Sequence, residues 1–129
     1  MCKVFTGNIR AYQGRAGLDI TLGSARTREG LLFVPPNWSM VKRVIYNRHS
    51  PQFDEIWSDY VAEFYAAIRA RYKVNPQAYV DFLYHHEEIH LLCFCEIGQR
   101  CHRDLVVDIL DKIADYHNIP FERGGISGD

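Results

Sequence analysis

Apolar residues along this chain recur with two periods, one typical of strands and one typical of helices. Short runs in which apolar residues alternate or cluster predict strands over residues 3–6, 18–22, 31–34 and 90–95. Longer runs with apolar residues at every third or fourth position predict helices over residues 39–47, 51–72, 76–84 and about 100–117. The helix over residues 51–72 has the strongest pattern, because large apolar and aromatic residues follow helical spacing along its whole length.

Capping signals support the starts of three of these helices. Ser39 is the predicted N-cap of the first helix. Ser50 and Asn75 each precede a proline, which is well suited to the first helical position. Strands near both ends with helices between them predict an α/β fold, with a small Rossmann-like sheet flanked by helices. We expect a single domain over residues 1–123 and a flexible tail over 124–129, which is rich in glycine and serine.

Polar and cysteine side chains follow two of the predicted strands. Asn8 and Arg10 come after the first strand. The strand near residue 90 ends at or before Cys95, and Cys101 lies at the start of the last helix. If these two strands are parallel neighbours, their carboxyl ends share one edge of the sheet, where open α/β sheets bind ligands. The topology therefore predicts that these side chains converge.

Composition narrows the class of protein. The chain has 129 residues, of which 47% are apolar and 24% charged, as in ordinary globular domains. The net charge of −1 argues against a strongly basic nucleic-acid binder. The N-terminus has no signal-peptide pattern, and no apolar run has the length of a membrane span. Four cysteines without a secretory signal predict reduced thiols and a cytoplasmic protein.

The sequence Cys101-His102-Arg103 is the leading candidate for chemistry. The N-terminus of a helix stabilises a thiolate, so Cys101 is a candidate nucleophile whose pKa is lowered there and by Arg100 and Arg103. His102 is the candidate proton carrier. The same groups would equally suit phosphate binding without a covalent step, and Cys101 would equally suit plain packing under the sheet. The predicted anion-binding residues are Asn8, Arg10, Cys95, Arg100 and Arg103.

The cysteine spacing suggests zinc by residue type, with Cys93, Cys95, Cys101 and His102 as ligands. Strand geometry argues against it, because side chains two residues apart on a strand begin about 6.5–7 Å apart. Zinc thiolates lie much closer, so the strand would have to end at Cys93. We therefore expect no cofactor, with zinc as the alternative.

A second zinc hypothesis comes from His86-Glu87-Glu88-Ile89-His90, which matches the His-Glu-x-x-His pattern of zinc-dependent hydrolases. That pattern needs a sustained helix, which would place His86 and His90 on one face with Glu87 as general base. Here it lies where a helix is predicted to give way to a strand, which disfavours the motif.

A third hypothesis is a non-catalytic binding or regulatory module. The aromatic residues at helical spacing between residues 53 and 72 are typical of a core, but they also suit a homodimer face.

Two segments resemble the bacterial and phage family known as domain of unknown function 488. The first is Cys95-x-x-Gly98-x-x-Cys101-His102-Arg103 after an apolar strand, and the second is the N-terminal run over residues 5–10. The resemblance implies an α/β fold in which the two ends of the chain are adjacent. It names no reaction, although similar members are suspected of nucleotide or nucleic-acid roles. The leading hypothesis is thus a small cytoplasmic protein whose anion-binding, thiol-containing pocket takes a nucleotide, a nucleic acid or another phosphate-bearing molecule.

Overall fold

The fold is built on one four-stranded sheet in which all strands are parallel. A computed structural model of the chain describes residues 1–96 and 98–127. The strands are β1 (Cys2–Asn8), β2 (Gly17–Asp19), β3 (Glu88–Cys93) and β4 (Phe121–Ile126), and their order across the sheet is β2-β3-β1-β4. The predicted α/β class, a small sheet flanked by helices in a single domain, is confirmed.

Four helices accompany the sheet: α1 (Trp38–Tyr46), α2 (Phe53–Val74), α3 (Pro76–His85) and α4 (His102–Tyr116). The predicted start of α3 is correct, because Asn75 Oδ1 accepts a hydrogen bond from the Ala78 N–H and Pro76 follows the cap. The cap of α1 is Asn37 rather than Ser39. Across residues 1–96 and 98–127, none of the helices combines the length and the apolarity that crossing a membrane demands.

Strands β1 and β3, which were expected to lie side by side, are neighbours in the sheet. β1 pairs in parallel with β3, with Val4 opposite Ile89 and Asn8 opposite Cys93. Because both strands end at this last pair, the residues that follow them emerge at the same edge of the sheet. This register therefore brings the segment after β1 close to the segment after β3, as predicted.

The core lies between one face of the sheet and the helices. Val106 and Leu110 of α4 are fully buried in it. Along α2 the rings of Trp57, Tyr60 and Phe64 stack one above another, with centroid distances of 5.0 and 6.0 Å and angles of 14° between ring planes. Tyr60 and Phe64 are buried, so these aromatic residues pack within the chain. Dimerisation through this helix stays a prediction.

The strand predicted over residues 31–34 is wrong, and a short 3₁₀ turn (Gly30–Leu32) takes its place. Its carbonyl groups are bonded by side chains instead of a neighbouring strand. The Tyr79 hydroxyl donates to Leu32 O at 3.0 Å, and Arg71 donates to Val34 O at 2.7 Å. The segment is apolar because Phe33 is fully buried in the core, not because it belongs to the sheet.

Strand β4 was not predicted, and it includes the start of the expected flexible tail. Gly125 and Ile126 pair with Phe5 and Thr6 of β1, and Gly124 lies at an irregularity in the register. Residues 128 and 129 lie outside the described part of the chain. The segment lacks strand-like alternation because Phe5 lies directly over Gly124 and leaves no room for a side chain there. The division of the chain into a domain and a tail stays a prediction.

This close contact makes Gly124 sensitive to substitution. A Cβ at position 124 would lie 2.7 Å from Phe5 Cδ1, so Gly124→Ala should lower the free energy of unfolding by about 1–3 kcal/mol. Glu122→Ala on the same strand is the matched control. Its carboxylate makes only an exposed 3.7 Å ion pair with Lys3, so the change should stay within about 0.5 kcal/mol. Urea unfolding measures both, and equal values would refute the close packing.

Candidate functional site

Three cysteine sulfurs meet at the carboxyl edge of the sheet. Cys93 is the last residue of β3, Cys95 lies in the loop that follows, and Cys101 is the N-cap of α4. Their Sγ atoms all lie within 4.8 Å of one another, and those of Cys93 and Cys95 are 3.8 Å apart. All the cysteines in the chain are free thiols. The arrangement joins a strand end, a loop and a helix start in one cluster.

The end of β3 at Cys93 explains how the first two sulfurs come together. Because the chain leaves the strand there, Cys95 is not held at the separation that two residues on one strand would have. Asn8 fixes the new direction, since its Nδ2 donates to the carbonyl oxygens of Phe94 and Cys95 at 3.3 and 3.1 Å. The geometric objection to a thiolate metal site therefore does not apply to this chain. Asn8 orients the loop and does not line the cavity described below.

Arg103 holds the whole edge together and is only 2% exposed. Its Nη1 donates to Gly7 O at 2.6 Å and to Cys95 O at 2.9 Å, and its Nη2 donates to Glu96 O at 3.1 Å. The side chain thus links α4 to the end of β1 and to the thiol-bearing loop. Both terminal nitrogens are engaged with main-chain carbonyls, so the geometry favours a structural role over the predicted phosphate contact.

His102 is oriented by a main-chain group. Its Nε2 lies 2.7 Å from Ile20 O, and because a carbonyl only accepts, Nε2 carries the proton. In the neutral ring Nδ1 is then the acceptor. It lies 3.5 Å from Cys101 Sγ, so it is placed to take the thiol proton. The predicted pairing of these two residues is present, although both are buried.

Ionisation of one of the three thiols disfavours ionisation of the other two. Hydrogen bonds from Cys101, then Cys95, lower the pKa of Cys93. Hydrogen bonding to its neighbours, Cys101 first, raises the pKa of Cys95, and hydrogen bonding to Cys93 raises the pKa of Cys101 to about 12. The prediction of a lowered pKa at Cys101 is therefore wrong. The coulombic effect of Arg103 does favour its thiolate, but sharing a proton with Cys93 outweighs it.

Sequence reasoning missed Arg48, which follows α1. Its Nη2 donates to Cys95 Sγ at 3.2 Å, and its Nη1 donates to Arg100 O at 3.0 Å. No local pattern marks it, because these partners lie 47 and 52 residues away along the chain. It brings a positive charge into contact with the cluster.

A cavity of about 460 Å³ opens above the thiols. Its walls are apolar: Trp38, Val41 and Ile45 come from α1, and Trp57 and Tyr60 come from α2. Its floor contains all three clustered cysteines together with His102. Among the described lining residues the charged side chains are arginines, with no carboxylate. Such an apolar hollow with a few converging polar groups is the usual form of a small-molecule site.

The structure separates Arg10 from Arg100, both of which were among the predicted anion-binding residues. Arg100 lines the rim of the cavity, where its Nη1 pairs with Asp54 Oδ1 at 2.8 Å. Arg10 is exposed, lies over the Phe94 ring at 5.2 Å and is not among the lining residues. Of the predicted anion-binding side chains, Cys95 and Arg100 therefore border the cavity.

The geometry does not support the second zinc hypothesis. Helix α3 ends at His85, so His86 and His90 do not share a helical face. His86 Nε2 pairs with Glu29 at 2.9 Å. His90 lies in β3, where its Nδ1 contacts Ser127 Oγ at 2.6 Å. The His-Glu-x-x-His motif is wrong here because a strand replaces the helix it needs.

The role of Arg103 can be tested by stability. Arg103→Met would remove a side-chain donor from three carbonyls, of which Cys95 O keeps the donor from Asn8, so the free energy of unfolding should fall by about 2–4 kcal/mol. Arg103→Lys should also lower the free energy of unfolding, because a lysine ammonium cannot reproduce the fixed donor directions of the planar guanidinium. Arg43→Met is the control, since Arg43 makes only an exposed pair with Asp59. Urea unfolding that left Arg103→Met as stable as this control would refute the structural role.

Comparison with known proteins agrees with this architecture. The family model described as "Active DUF488-N3 subclade" matches residues 33–114. This range contains α1, α2, α3, β3, the three clustered cysteines and all but the last two residues of α4. No curated protein and no solved structure matches the chain. Because the match covers more than half of the sequence, the chain belongs to the family of domain of unknown function 488.

Proposed function

We propose that Cys93, Cys95 and Cys101 hold a zinc ion and present it to the cavity above them. The observation that carries the proposal is the separation of the three sulfurs. With Zn–S bonds of about 2.3 Å, two thiolates of a tetrahedral site lie about 3.8 Å apart. Cys93 and Cys95 have this spacing, and Cys101 lies within 4.8 Å of both. Small side-chain rotations would complete the triangle.

Positively charged side chains near the thiols would offset the negative charge of such a site. Three thiolates and Zn²⁺ carry a net charge of −1, which is costly to bury alone. Arg48 donates to Cys95 Sγ, and the charge of Arg103 favours the Cys101 thiolate. Metal binding must also displace the thiol protons. The free Nδ1 of His102, 3.5 Å from Cys101 Sγ, is placed to accept one of them.

Three protein ligands leave one coordination position for water or a ligand. A zinc site of this kind polarises what it binds, whereas structural zinc sites are closed by a fourth protein ligand. The cysteines line the cavity floor, so a zinc ion held by them would border the space in which a ligand would sit. The description of the matched subclade as active is in keeping with such a centre.

A phosphate-bearing ligand, a nucleotide or the end of a nucleic acid among them, is the second candidate. Arg48 and Arg100 favour an anion, and the described lining residues contain no carboxylate to repel one. A cytoplasmic location belongs to the same proposal, because thiolate ligands need a compartment that keeps them reduced.

Metal content tests the proposal. Protein purified without added metal should retain about one zinc per chain, because the site requires no rearrangement of the backbone. Cys93→Ser, Cys95→Ser and Cys101→Ser should each weaken zinc binding at least about a hundredfold, since each removes a ligand. Elemental analysis and competition with a chromophoric chelator measure the two quantities.

Cys2→Ser is the matched control for these variants, since Cys2 is buried in β1 and is not part of the cluster. It should leave zinc affinity unchanged. Zinc binding that was equally affected by all four substitutions, or absent from the unmodified protein, would overturn the proposal.

Alkylation of Cys93 gives an independent readout on the same cluster. At about pH 8, zinc should protect Cys93 from iodoacetamide and a chelator should expose it, because Cys93 lines the cavity and hydrogen bonds from Cys101 and Cys95 lower the pKa of its thiol. Cys2 should stay unlabelled in both samples, because burial raises the pKa of its thiol to about 11. Peptide mass spectrometry locates the adducts. Labelling of Cys93 at the same rate with and without zinc would count against coordination.

A further inference from the structure

We infer that the cavity takes an apolar monoanion, a carboxylate with an aryl or other large apolar group, with its charged end at Arg48 and its carbon part against Trp38 and Trp57. The inference names the ligand class of the proposed zinc site. It rests on that proposal only for the contact of the anion with the metal.

The walls call for a ligand with a large apolar part. Trp38 is 51% exposed and Ile45 is 48% exposed, although both line the cavity. Filling the hollow would remove this surface from water, at about 25 cal/mol for each Å² of apolar area. Trp57, whose ring is stacked on Tyr60, also contributes apolar ring surface to the lining.

The positive charge of Arg48 at the thiol end of the cavity favours an anion. Arg48 is half-buried and donates to a sulfur and a main-chain carbonyl, so no carboxylate among its described partners neutralises it. The N-terminus of the 15-residue helix α4 adds partial positive charge at Cys101. Arg100 contributes less, because Asp54 already pairs with it. The positive potential is therefore concentrated near Arg48, beside the thiols.

One buried polar group without a hydrogen-bond partner also favours a carboxylate ligand. Thr21 lines the cavity, and its buried Oγ1 has no hydrogen-bond partner among the described residues. A buried hydroxyl without a partner costs about 1–3 kcal/mol. Rotation of this side chain toward the cavity would let it donate to a ligand carboxylate.

The scarcity of such groups disfavours a nucleotide. Apart from Thr21, Gln99 and the two arginines, the lining offers few side chains that could satisfy sugar hydroxyls and base edges. Polar ligand atoms that lose water without gaining a partner weaken binding. A single charged group on a carbon skeleton matches the lining better.

Tryptophan fluorescence tests the inference directly, because the chain contains two tryptophans and both line the cavity. The probes are phenylacetate, its neutral analogue phenylacetamide, acetate and adenosine monophosphate. Phenylacetate should bind at least about tenfold more tightly than each of the other three. Arg48→Met should abolish its advantage over phenylacetamide while binding of the amide persists, which also shows that the variant is folded. Arg43→Met, on α1 but outside the cavity lining, should change nothing.

The outcomes separate this inference from the zinc proposal when zinc is measured in the same samples. If metal-free protein still prefers phenylacetate, and Arg48→Met removes the preference, the ligand class stands even if no zinc binds. If zinc binds at the three cysteines but phenylacetate is no better than acetate or the amide, the ligand class is wrong and the metal site stands. Tighter binding of adenosine monophosphate would overturn the inference in favour of a nucleotide.

Discussion

The buried guanidinium of Arg103 is the interaction on which the arrangement of the site depends. It donates from α4 to Gly7 O at the end of β1 and to Cys95 O and Glu96 O in the loop after β3. Gly7 lies next to the last residue of β1, and Cys95 and Glu96 lie in the loop after β3. In that loop Asn8 also donates to Cys95 O. One side chain thus sets how the helix, the strand end and the thiol-bearing loop meet.

The position of the three thiols follows from that junction. Cys101 stands at the start of the helix that Arg103 anchors, and Cys95 belongs to the loop it binds. Three thiols in contact cannot all ionise in the absence of a cation, because each thiolate raises the cost of the next. A thiophilic metal removes this conflict, and Arg48 neutralises part of the remaining charge. The proposed metal centre would border the apolar cavity that the three cysteines line.

The sequence predicted the frame of the site better than its chemistry. Periodicity predicted β1 and β3, and the family resemblance implied that the two ends of the chain are adjacent, so the meeting of Asn8 with the cysteine loop could be expected. The distance between Cys93 and Cys95 could not, because it depends on the strand ending two residues earlier than its apolar run suggests. The role of Arg48 could not be predicted for another reason. Its contact with Cys95 joins residues 47 positions apart, so no local sequence pattern marks it.

The central claim concerns the atoms bound to the metal. X-ray absorption spectroscopy at the zinc edge, on protein loaded with one equivalent of zinc, measures them directly. The account predicts about three sulfur atoms at about 2.3 Å and one nitrogen or oxygen atom at about 2.0–2.2 Å. A first shell made only of nitrogen and oxygen would show that the thiol cluster is not a zinc site.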